Sequence, residues 1–170
     1  MLKKNEVCEV TVAGYTSEGH GVARIDGQAV FIPGGIEGER CRIRIEKVLK
    51  NFAIGKIMEL TEPSPHRVRP TCKYAGECGG CAFLHMDYDE ELRLKAARVR
   101  DALNRIGGCS LDSVEITGGS SIFGYRNKAQ YPVASKKGRA YAGFFKAGTH
   151  DVLTDKTKLS CLLNGNAKSV

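Results

Sequence analysis

Three cysteines lie within ten residues near the middle of the chain: Cys72, Cys78 and Cys81, with Gly79 and Gly80 in the shorter gap. Thiolates at this spacing are typical metal ligands. A [4Fe-4S] cluster takes four of them, commonly three close in sequence and one remote. The two glycines would let the backbone wrap a bulky group without Cβ clashes and turn its amides toward sulfur. The motif therefore favours an iron–sulfur site.

The fourth ligand has four candidates, Cys8, Cys41, Cys109 and Cys161. Cys8 and Cys41 share their alternating faces with apolar residues, which favours a structural role as small hydrophobic side chains. Cys109 directly follows a predicted helix and stays open. We favour Cys161, because ligation there would close a loop of about eighty residues and order segments that have too small a core of their own.

Zinc is the alternative metal. Structural zinc sites usually show two Cys-x2-Cys pairs or closely spaced histidines, whereas this chain has one such pair, with His66 and His85 isolated nearby. The spacing favours iron–sulfur, but zinc and cysteines without metal stay open. A disulfide framework is not expected, because seven cysteines is an odd number and the chain reads as cytoplasmic. An electron carrier would use the same ligands without needing the basic segment described next.

A basic segment follows in the last third of the chain. The 170 residues carry a net charge of +7, and six cations without any acid lie between positions 126 and 150. Such a field favours a polyanionic partner, with a merely solvating face as the alternative. The six cations are Arg126, Lys128, Lys136, Lys137, Arg139 and Lys146.

Aromatic residues interleave with these cations. Single-stranded nucleic-acid binders combine cations for phosphates with rings on which bases stack, although aromatic residues in strands also serve as core. We therefore predict an RNA-binding segment in which Phe144 and Phe145 take part. The rings are Tyr125, Tyr131, Tyr141, Phe144 and Phe145.

Residues 1–60 predict about five short strands. Cys41, Ile43 and Ile45 alternate with charged residues, as in a half-buried strand, and Asp26-Gly27 indicates a tight hairpin. Short strands with glycine turns favour a small OB-like β-barrel. Residues 61–70 contain three prolines and predict a stiff linker in front of the cysteine loop.

An amphipathic helix is predicted from Asp87 to Ile106. Asp87 would cap its first turn, Glu90 would reach back in a capping box, and Gly107-Gly108 would end it. A short strand around residues 114–117 and two strands joined by a basic turn at 136–139 follow. The apolar stripe expected to face the core consists of Leu92, Ala96, Val99, Leu103 and Ile106.

Length and composition exclude other classes. No stretch approaches the roughly 18 apolar residues of a membrane span, and the start shows no cleavable leader, so we expect a cytoplasmic protein, without membrane contact and monomeric. A large α/β enzyme with its own cofactor domain does not fit 170 residues.

In this order the features resemble the N-terminal half of the bacterial RNA (uracil-5-)-methyltransferases, the RumA/TrmA-like family. Residues 1–60 resemble its TRAM barrel, an RNA-binding module, in which we expect Arg42 and Arg44 to contact RNA. Cys72, Cys78, Cys81 and Cys161 match its four cluster ligands. Residues 87–108 resemble the helix after that motif, and residues 125–128 and 143–148 resemble its central RNA-binding domain.

The resemblance implies a mainly β fold with some α: a TRAM-like barrel (1–60), a linker with the cysteine loop (61–86), and a helix with a basic β hairpin (87–170). It implies a structural [4Fe-4S] cluster and rRNA or tRNA as partner. Family members continue into a Rossmann-like domain that binds S-adenosylmethionine and supplies a nucleophilic cysteine.

No glycine-rich turn between a strand and a helix is present in this sequence. We therefore predict no S-adenosylmethionine site, no catalytic residue and no methylation by this chain alone. The alternative is a stand-alone RNA-binding iron–sulfur or zinc protein that acts as an RNA chaperone or redox sensor.

Overall fold

The computed structural model describes residues 2–153 and the backbone of residues 163–169. The chain forms two compact units. Unit 1 comprises Met1–Arg69 with His85–Ile116, and unit 2 comprises Pro70–Leu84 with Thr117–Val170. Within the described ranges, no helix combines the length and apolar character needed to cross a membrane.

Six strands of unit 1 form one sheet in the order β1-β5-β6-β4-β3-β2. All neighbours are antiparallel except β4 and β6, which run parallel. β1 and β2 are the two edge strands of this sheet, yet only two residues connect them. Because so short a connection cannot span a flat six-stranded sheet, the sheet must curl and bring its edges close together. The mainly β fold expected for residues 1–60 is confirmed. The expected small OB-like barrel is present as a curled sheet in which β1 and β2 are the two ends of the order, with six strands instead of about five: β1 Val7–Thr11, β2 Gly14–Tyr15, β3 Gly21–Ile25, β4 Gln28–Ile32, β5 Arg40–Val48 and β6 Phe52–Glu62.

The core of unit 1 follows the alternation seen in the sequence. Cys41, Ile43 and Ile45 of β5 are fully buried, and Cys8 is half-buried against them. The structural roles expected for Cys8 and Cys41 are therefore confirmed. The core consists of Leu2, Val10, Val12, Ala23, Val30, Ile32, Cys41, Ile43, Ile45 and Ala53.

The hairpin between β3 and β4 turns at Asp26 and Gly27, as expected. Both residues have positive φ angles, 48° and 80°. This is the backbone that a two-residue hairpin loop requires, and it matches the right-handed twist of the strands on either side.

Helix α1 spans Tyr88–Arg105, with Asp87 as its N-cap. The Asp87 carboxylate accepts from the backbone N–H of Glu90 at 2.9 Å, which confirms the expected cap. The reciprocal half of the capping box is wrong. The Asp87 N–H donates to the carbonyl of His66, and the Glu90 carboxylate binds Tyr15 and Arg93 instead.

The expected core-facing stripe of α1 is also wrong. Val99, Leu103 and Ile106 are 47%, 40% and 88% exposed, whereas Glu90 and Leu94 are buried. At 100° per residue, Glu90 and Leu94 lie on the opposite side of the helix from that stripe. The face of α1 that packs against the rest of unit 1 is therefore the face that forms ion pairs. The apolar periodicity alone predicts the opposite face.

Residues 111–117 contain no strand, so the strand expected around 114–117 is wrong. The proline-rich segment after β6 is folded onto unit 1. The Arg67 guanidinium donates to the buried carboxylate of Glu39 and, at 2.6 Å, to the carbonyl of Gly34. The His66 ring lies 2.8 Å from the Asp87 carboxylate.

The described part of unit 2 contains two pairs of strands. β7 (Arg126–Ala129) runs parallel to β10 (Leu163–Ser169), and β8 (Val133–Lys136) runs antiparallel to β9 (Arg139–Ala142). Lys137 and Gly138 form the turn between β8 and β9, with φ angles of 51° and 74°. This confirms two strands joined by a basic turn, but the strands are shorter than the expected stretches 125–133 and 141–148. Residues 126–129 pair with β10 instead, and residues 143–148 form no strand.

Candidate nucleic-acid interface and metal-binding loop

The charge of the protein is divided unequally between the two units. Unit 1 contains 16 basic and 16 acidic residues, and unit 2 contains 10 basic and 3 acidic ones. The entire net charge of +7 therefore belongs to unit 2, which also contains Cys72, Cys78 and Cys81. A polyanion would be attracted to unit 2 far more strongly than to unit 1.

The cysteine loop, residues 72–81, begins with tight backbone turns. The N–H of Ala75 donates to the carbonyl of Cys72 at 3.1 Å, and the N–H of Cys78 donates to the carbonyl of Tyr74 at 2.9 Å. All three cysteines are half-buried. These hydrogen bonds fold the backbone between Cys72 and Cys78 into consecutive turns.

The two glycines of the loop have different roles. The N–H of Gly80 donates to the sulfur of Cys78 at 3.4 Å, as expected for an amide turned toward a ligand sulfur. A Cβ on Gly80 would lie 3.4 Å from that sulfur and 3.6 Å from the Phe144 ring. The N–H of Gly79 instead donates to the carbonyl of Phe145 at 2.9 Å, so only one of the two amides serves sulfur.

The cysteine loop is joined to residues 144–147, which we call the aromatic–basic segment. Cys78 and Lys146 form an antiparallel β-bridge, and the N–H of Ala147 donates to the carbonyl of Glu77 at 2.8 Å. The Glu77 carboxylate also lies 2.8 Å from the Lys146 ammonium. The structure therefore brings together the predicted metal motif and part of the predicted RNA-binding segment.

The electrostatics of Lys146 follow from this contact. Its hydrogen bond with Glu77, and then the charge of Glu77, raise the pKa of the Lys146 ammonium. Lys146 therefore stays charged at neutral pH, but one carboxylate already compensates its charge. The sequence of the basic segment does not indicate Glu77 as a partner, because Glu77 lies about seventy residues earlier in the chain.

The donor chemistry of the loop fits a thiolate-bound iron–sulfur cluster. Three cysteines share one short loop, an amide donates to one of their sulfurs, and the glycine beside that sulfur leaves space that a side chain would fill. Among residues 2–153 and 163–169, no group of three or more His, Cys, Asp or Glu side chains is arranged to hold a single metal ion. The cluster ligands of a cubane bind different irons and so need not converge on one point.

The candidates for a fourth ligand are placed differently. The exposed Cys109 belongs to unit 1, and its thiol lies 3.8 Å from the carbonyl of Gly107. Cys161, the favoured ligand, lies outside the described residues. Its convergence with the cysteine loop stays a prediction.

The cations predicted to contact RNA fall into two groups. Lys128, Lys137 and Arg139 are exposed and have no ion-pair partner in the part of unit 2 that the structure describes. Arg126 and Lys136 lie in β7 and β8. Phosphate binding by these cations and by Lys146 stays a prediction.

The rings predicted to stack on bases are partly used within unit 2. Phe144 packs against Tyr131 with ring centroids 5.1 Å apart, and both rings are half-buried. Phe145 is 40% exposed and meets the edge of His150 at 5.6 Å. Tyr125 is the most exposed of the rings at 57%. Phe145 and Tyr125 are therefore more accessible to a base than Phe144.

The two arginines predicted in the barrel lie on its outer face and are ion-paired. Arg42 lies 3.3 Å from Glu59, and Arg44 lies 3.9 Å from Glu46. Their neighbour Arg40 contacts the carboxylates of Glu9 and Glu62. These carboxylates would compete with RNA phosphates for the arginines.

A buried ion pair in unit 1 was not expected from the sequence. Burial raises the pKa of Glu39, but hydrogen bonds from Arg67 and the amides of Ile36 and Ser64 outweigh it and hold that pKa below its ordinary value. Burial, and then the charge of Arg67, lower the pKa of nearby His85 to about 4. His85 is therefore neutral, and its buried Nε2 has no hydrogen-bond partner among the described atoms.

A second polar network joins α1 to the sheet. The Tyr15 hydroxyl donates to the buried carboxylate of Glu90 at 2.5 Å and accepts from the N–H of Glu37 at 3.0 Å. Arg93 binds both Glu90 and Glu37, at 2.7 and 2.5 Å. Burial raises the pKa of Tyr15 and so does its hydrogen bond to Glu90. This network explains why the ion-paired face of α1 is the buried one.

Comparison with known proteins identifies one domain. Residues 2–58 match the TRAM domain family. The match coincides with the curled sheet of unit 1 and ends inside β6. It confirms the TRAM domain expected for this part of the chain.

Longer similarity extends over most of the chain. The chain is 41% identical over 153 residues to an uncharacterized RNA methyltransferase of Halalkalibacterium halodurans. This alignment covers 89% of the chain and 33% of that protein. The chain is 42% identical over 154 residues to an uncharacterized RNA methyltransferase of Nostoc sp., covering 88% and 33%. The chain thus spans about a third of the length of these curated relatives.

A solved structure shows the same relationship. The crystal structure of Pyrococcus abyssi tRNA (uracil-54, C5)-methyltransferase in complex with S-adenosyl-L-homocysteine aligns with a TM-score of 0.54 and 25% sequence identity. The alignment covers 86% of this chain and 31% of that protein. Both kinds of comparison therefore relate the chain to about a third of a longer protein.

Proposed function

We propose that the chain belongs to the RumA/TrmA-like family of RNA methyltransferases and is the RNA-binding, iron–sulfur part of an enzyme that methylates C5 of uridine in rRNA or tRNA. The TRAM match, the similarity to RNA methyltransferases and the solved tRNA (uracil-54, C5)-methyltransferase support this proposal. The observation that carries this proposal is the contact between the cysteine loop and the aromatic–basic segment. It couples the motif that would bind a cluster to side chains that would bind RNA.

Cys72, Cys78, Cys81 and Cys161 would hold a [4Fe-4S] cluster. When bound, the cluster supplies a covalent cross-link with no open iron for substrate, so its role is structural. The chain's own contribution is the contact of Glu77, Cys78 and Gly79 with residues 145–147. Ordering the cysteine loop would thereby fix the aromatic–basic segment.

RNA would bind mainly to unit 2. Lys128, Lys137 and Arg139 are exposed and available to phosphates, and Phe145 and Tyr125 are the rings most available to unpaired bases. Electrostatic attraction of this kind is independent of sequence. Choice of the target uridine would then depend on contacts to bases.

Methyl transfer is proposed for the complete protein, with S-adenosylmethionine as the donor. In the family a cysteine adds to C6 of the uracil, which makes C5 nucleophilic toward the methyl group, and a base then removes the C5 proton. We assign none of these steps to residues of this chain. Its role would be to hold the RNA.

The test is to purify the chain without oxygen and to measure iron, acid-labile sulfide and zinc, followed by RNA binding. We expect iron and sulfide in equal amounts, about four of each per chain. Cys78→Ser should lose both and weaken RNA binding, while the control Cys109→Ser should change neither. One zinc per chain without sulfide would contradict the cluster, and undiminished RNA binding by Cys78→Ser would contradict its structural role.

A further inference from the structure

A groove of about 540 Å³ lies within unit 1, between α1 and the loop that contains β2. Residues 14–17 form one wall, and the side of α1 that includes Leu94 and Ala97 forms the other. This groove is separate from the cysteine loop and the aromatic–basic segment, which belong to unit 2.

Arginines stand on both edges of the helical wall. At 100° per residue, Arg93 and Arg100 fall on one side of Leu94, Ala97 and Asp101, and Arg98 and Arg105 fall on the other. The charged residues that line the groove are Glu37, Arg93, Arg98, Arg100, Asp101 and Arg105. These four cations outnumber the two lining carboxylates together with the buried Glu90 that pairs with Arg93, so the groove carries a small positive excess although unit 1 as a whole is neutral.

Two of these arginines differ from the other cations of α1. Lys95 pairs with Glu91, Arg93 with Glu90 and Glu37, and Arg100 with Asp101. In the described part of the chain, Arg98 and Arg105 have no hydrogen-bond or ion-pair partner, and both are exposed. Among the described residues, Arg98 and Arg105 are therefore the only cations of α1 without a compensating carboxylate, and both line the groove.

The spacing of Arg98 and Arg105 suits an extended polyanion. Seven residues separate them, which is about two turns and about 10 Å along the helix. One strand of duplex DNA carries one phosphate per about 3.4 Å of helix axis, and an RNA strand of comparable spacing presents several phosphates over that distance. A guanidinium binds phosphate through two parallel N–H donors.

We propose that this groove is a second RNA-binding surface, in which Arg98 and Arg105 bind backbone phosphates of an RNA strand. The proposal rests on the proposed function, because it takes RNA as the polyanion. It also gives unit 1 a phosphate contact apart from Arg42 and Arg44, which are paired with glutamates.

The test uses the whole chain and a fluorescently labelled single-stranded RNA of about 20 nucleotides, longer than the roughly 4–16 nucleotides that one OB-type barrel occupies. Binding is measured over a range of salt concentrations. The double variant Arg98→Gln/Arg105→Gln should weaken binding about tenfold and reduce the salt slope by about 1.4, or about 0.7 per lost phosphate contact.

The matched control is Lys47→Gln/Lys50→Gln. Glu37 lines the groove just before β5 begins, whereas these two lysines lie at the far end of that strand. β5 has nine residues and is therefore about 30 Å long. The control should change affinity by less than about twofold, since charges that far away are screened. Arg98→Lys/Arg105→Lys keeps the charge and has a similar helix propensity, so we expect it to keep both the helix and the salt slope.

The outcomes separate this inference from the proposed function. If the unaltered chain does not bind the RNA, the proposed function fails. If it binds and both glutamine substitutions leave affinity and salt slope unchanged, only the groove is refuted. Equal losses in the groove variant and in the control would also refute it, because they would indicate an effect of net charge alone.

Discussion

The Glu77 carboxylate and the Lys146 ammonium lie 2.8 Å apart beside the backbone bridge between Cys78 and Lys146. An acid from the cysteine loop thus compensates a cation of the aromatic–basic segment. Any phosphate that binds Lys146 must compete with Glu77. This relationship makes Glu77 a residue that limits RNA affinity, provided that unit 2 binds RNA.

Removing that competition should strengthen binding. We expect Glu77→Gln to raise RNA affinity about twofold to fivefold, the range that an exposed ion pair is worth. The measurement is RNA titration at low salt. Asp112→Asn removes an exposed acid from unit 1 and serves as the control, with no expected change. Weaker binding by Glu77→Gln would show instead that the ion pair helps to build the RNA site.

The turn between β8 and β9 allows charge and fold to be separated at Lys137. Its φ angle of 51° lies in the left-handed region, which asparagine adopts more readily than most residues. Lys137→Asn should therefore keep the hairpin while losing one phosphate contact, so the salt slope of RNA binding should fall by about 0.7. The same change at Lys50 in unit 1 should leave the slope unaltered.

The buried pair of Glu39 and Arg67 should be a major source of stability for unit 1. Glu39 is fully buried, and Arg67→Met would leave its charge without a cation. We expect a loss of about 3–5 kcal/mol in the free energy of unfolding, measured by urea denaturation. Arg40→Met, at an exposed ion pair, should cost less than about 1 kcal/mol. Similar losses at both positions would contradict the special role of Glu39.

The pH dependence of these proteins gives a second readout. In the unaltered chain the pKa of Glu39 is lowered, so its contribution to stability is complete above the ordinary glutamate value and is lost as pH falls through the folded value. In Arg67→Met, burial would raise that pKa. The variant should then recover stability as pH falls from about 7 to about 5. A flat profile over this range would show that Glu39 finds another partner.

His66 and Asp87 should make unit 1 less stable at alkaline pH. The hydrogen bond with Asp87 raises the pKa of His66 above its ordinary value. A raised histidine pKa contributes stability that is complete below the unfolded value of about 6.5 and is lost as pH rises through the folded value.

The neutral, buried His85 acts in the opposite direction over this range, because its lowered pKa makes unit 1 more stable as pH rises through the ordinary histidine value. The readout is therefore the difference in unfolding free energy between about pH 6 and about pH 8, which His66→Gln should shift toward greater stability at pH 8. His20→Gln, at a histidine without this partner, should preserve it. If His66→Gln leaves the difference intact, another group is responsible.

Much of the local structure could be predicted from the sequence. The alternation of Cys41, Ile43 and Ile45 predicted β5, the Asp26-Gly27 pair predicted a hairpin, and Asp87 predicted the start of α1. Each of these signals acts within a few residues, through strand periodicity, a positive φ angle or a free helix N–H. The spacing of the cysteines predicted a metal-binding loop by the same short-range logic, and its metal stays a proposal.

Only the tertiary structure decided which charges meet. Glu39 with Arg67, Glu90 with Tyr15, and Glu77 with Lys146 join residues far apart in sequence, and no periodicity indicates such pairs. The orientation of α1 was likewise decided by its ion pairs, against the apolar stripe through Val99 and Leu103. The reason is physical: a buried carboxylate must find a cation or donors wherever the chain brings them, so its partner depends on the complete fold.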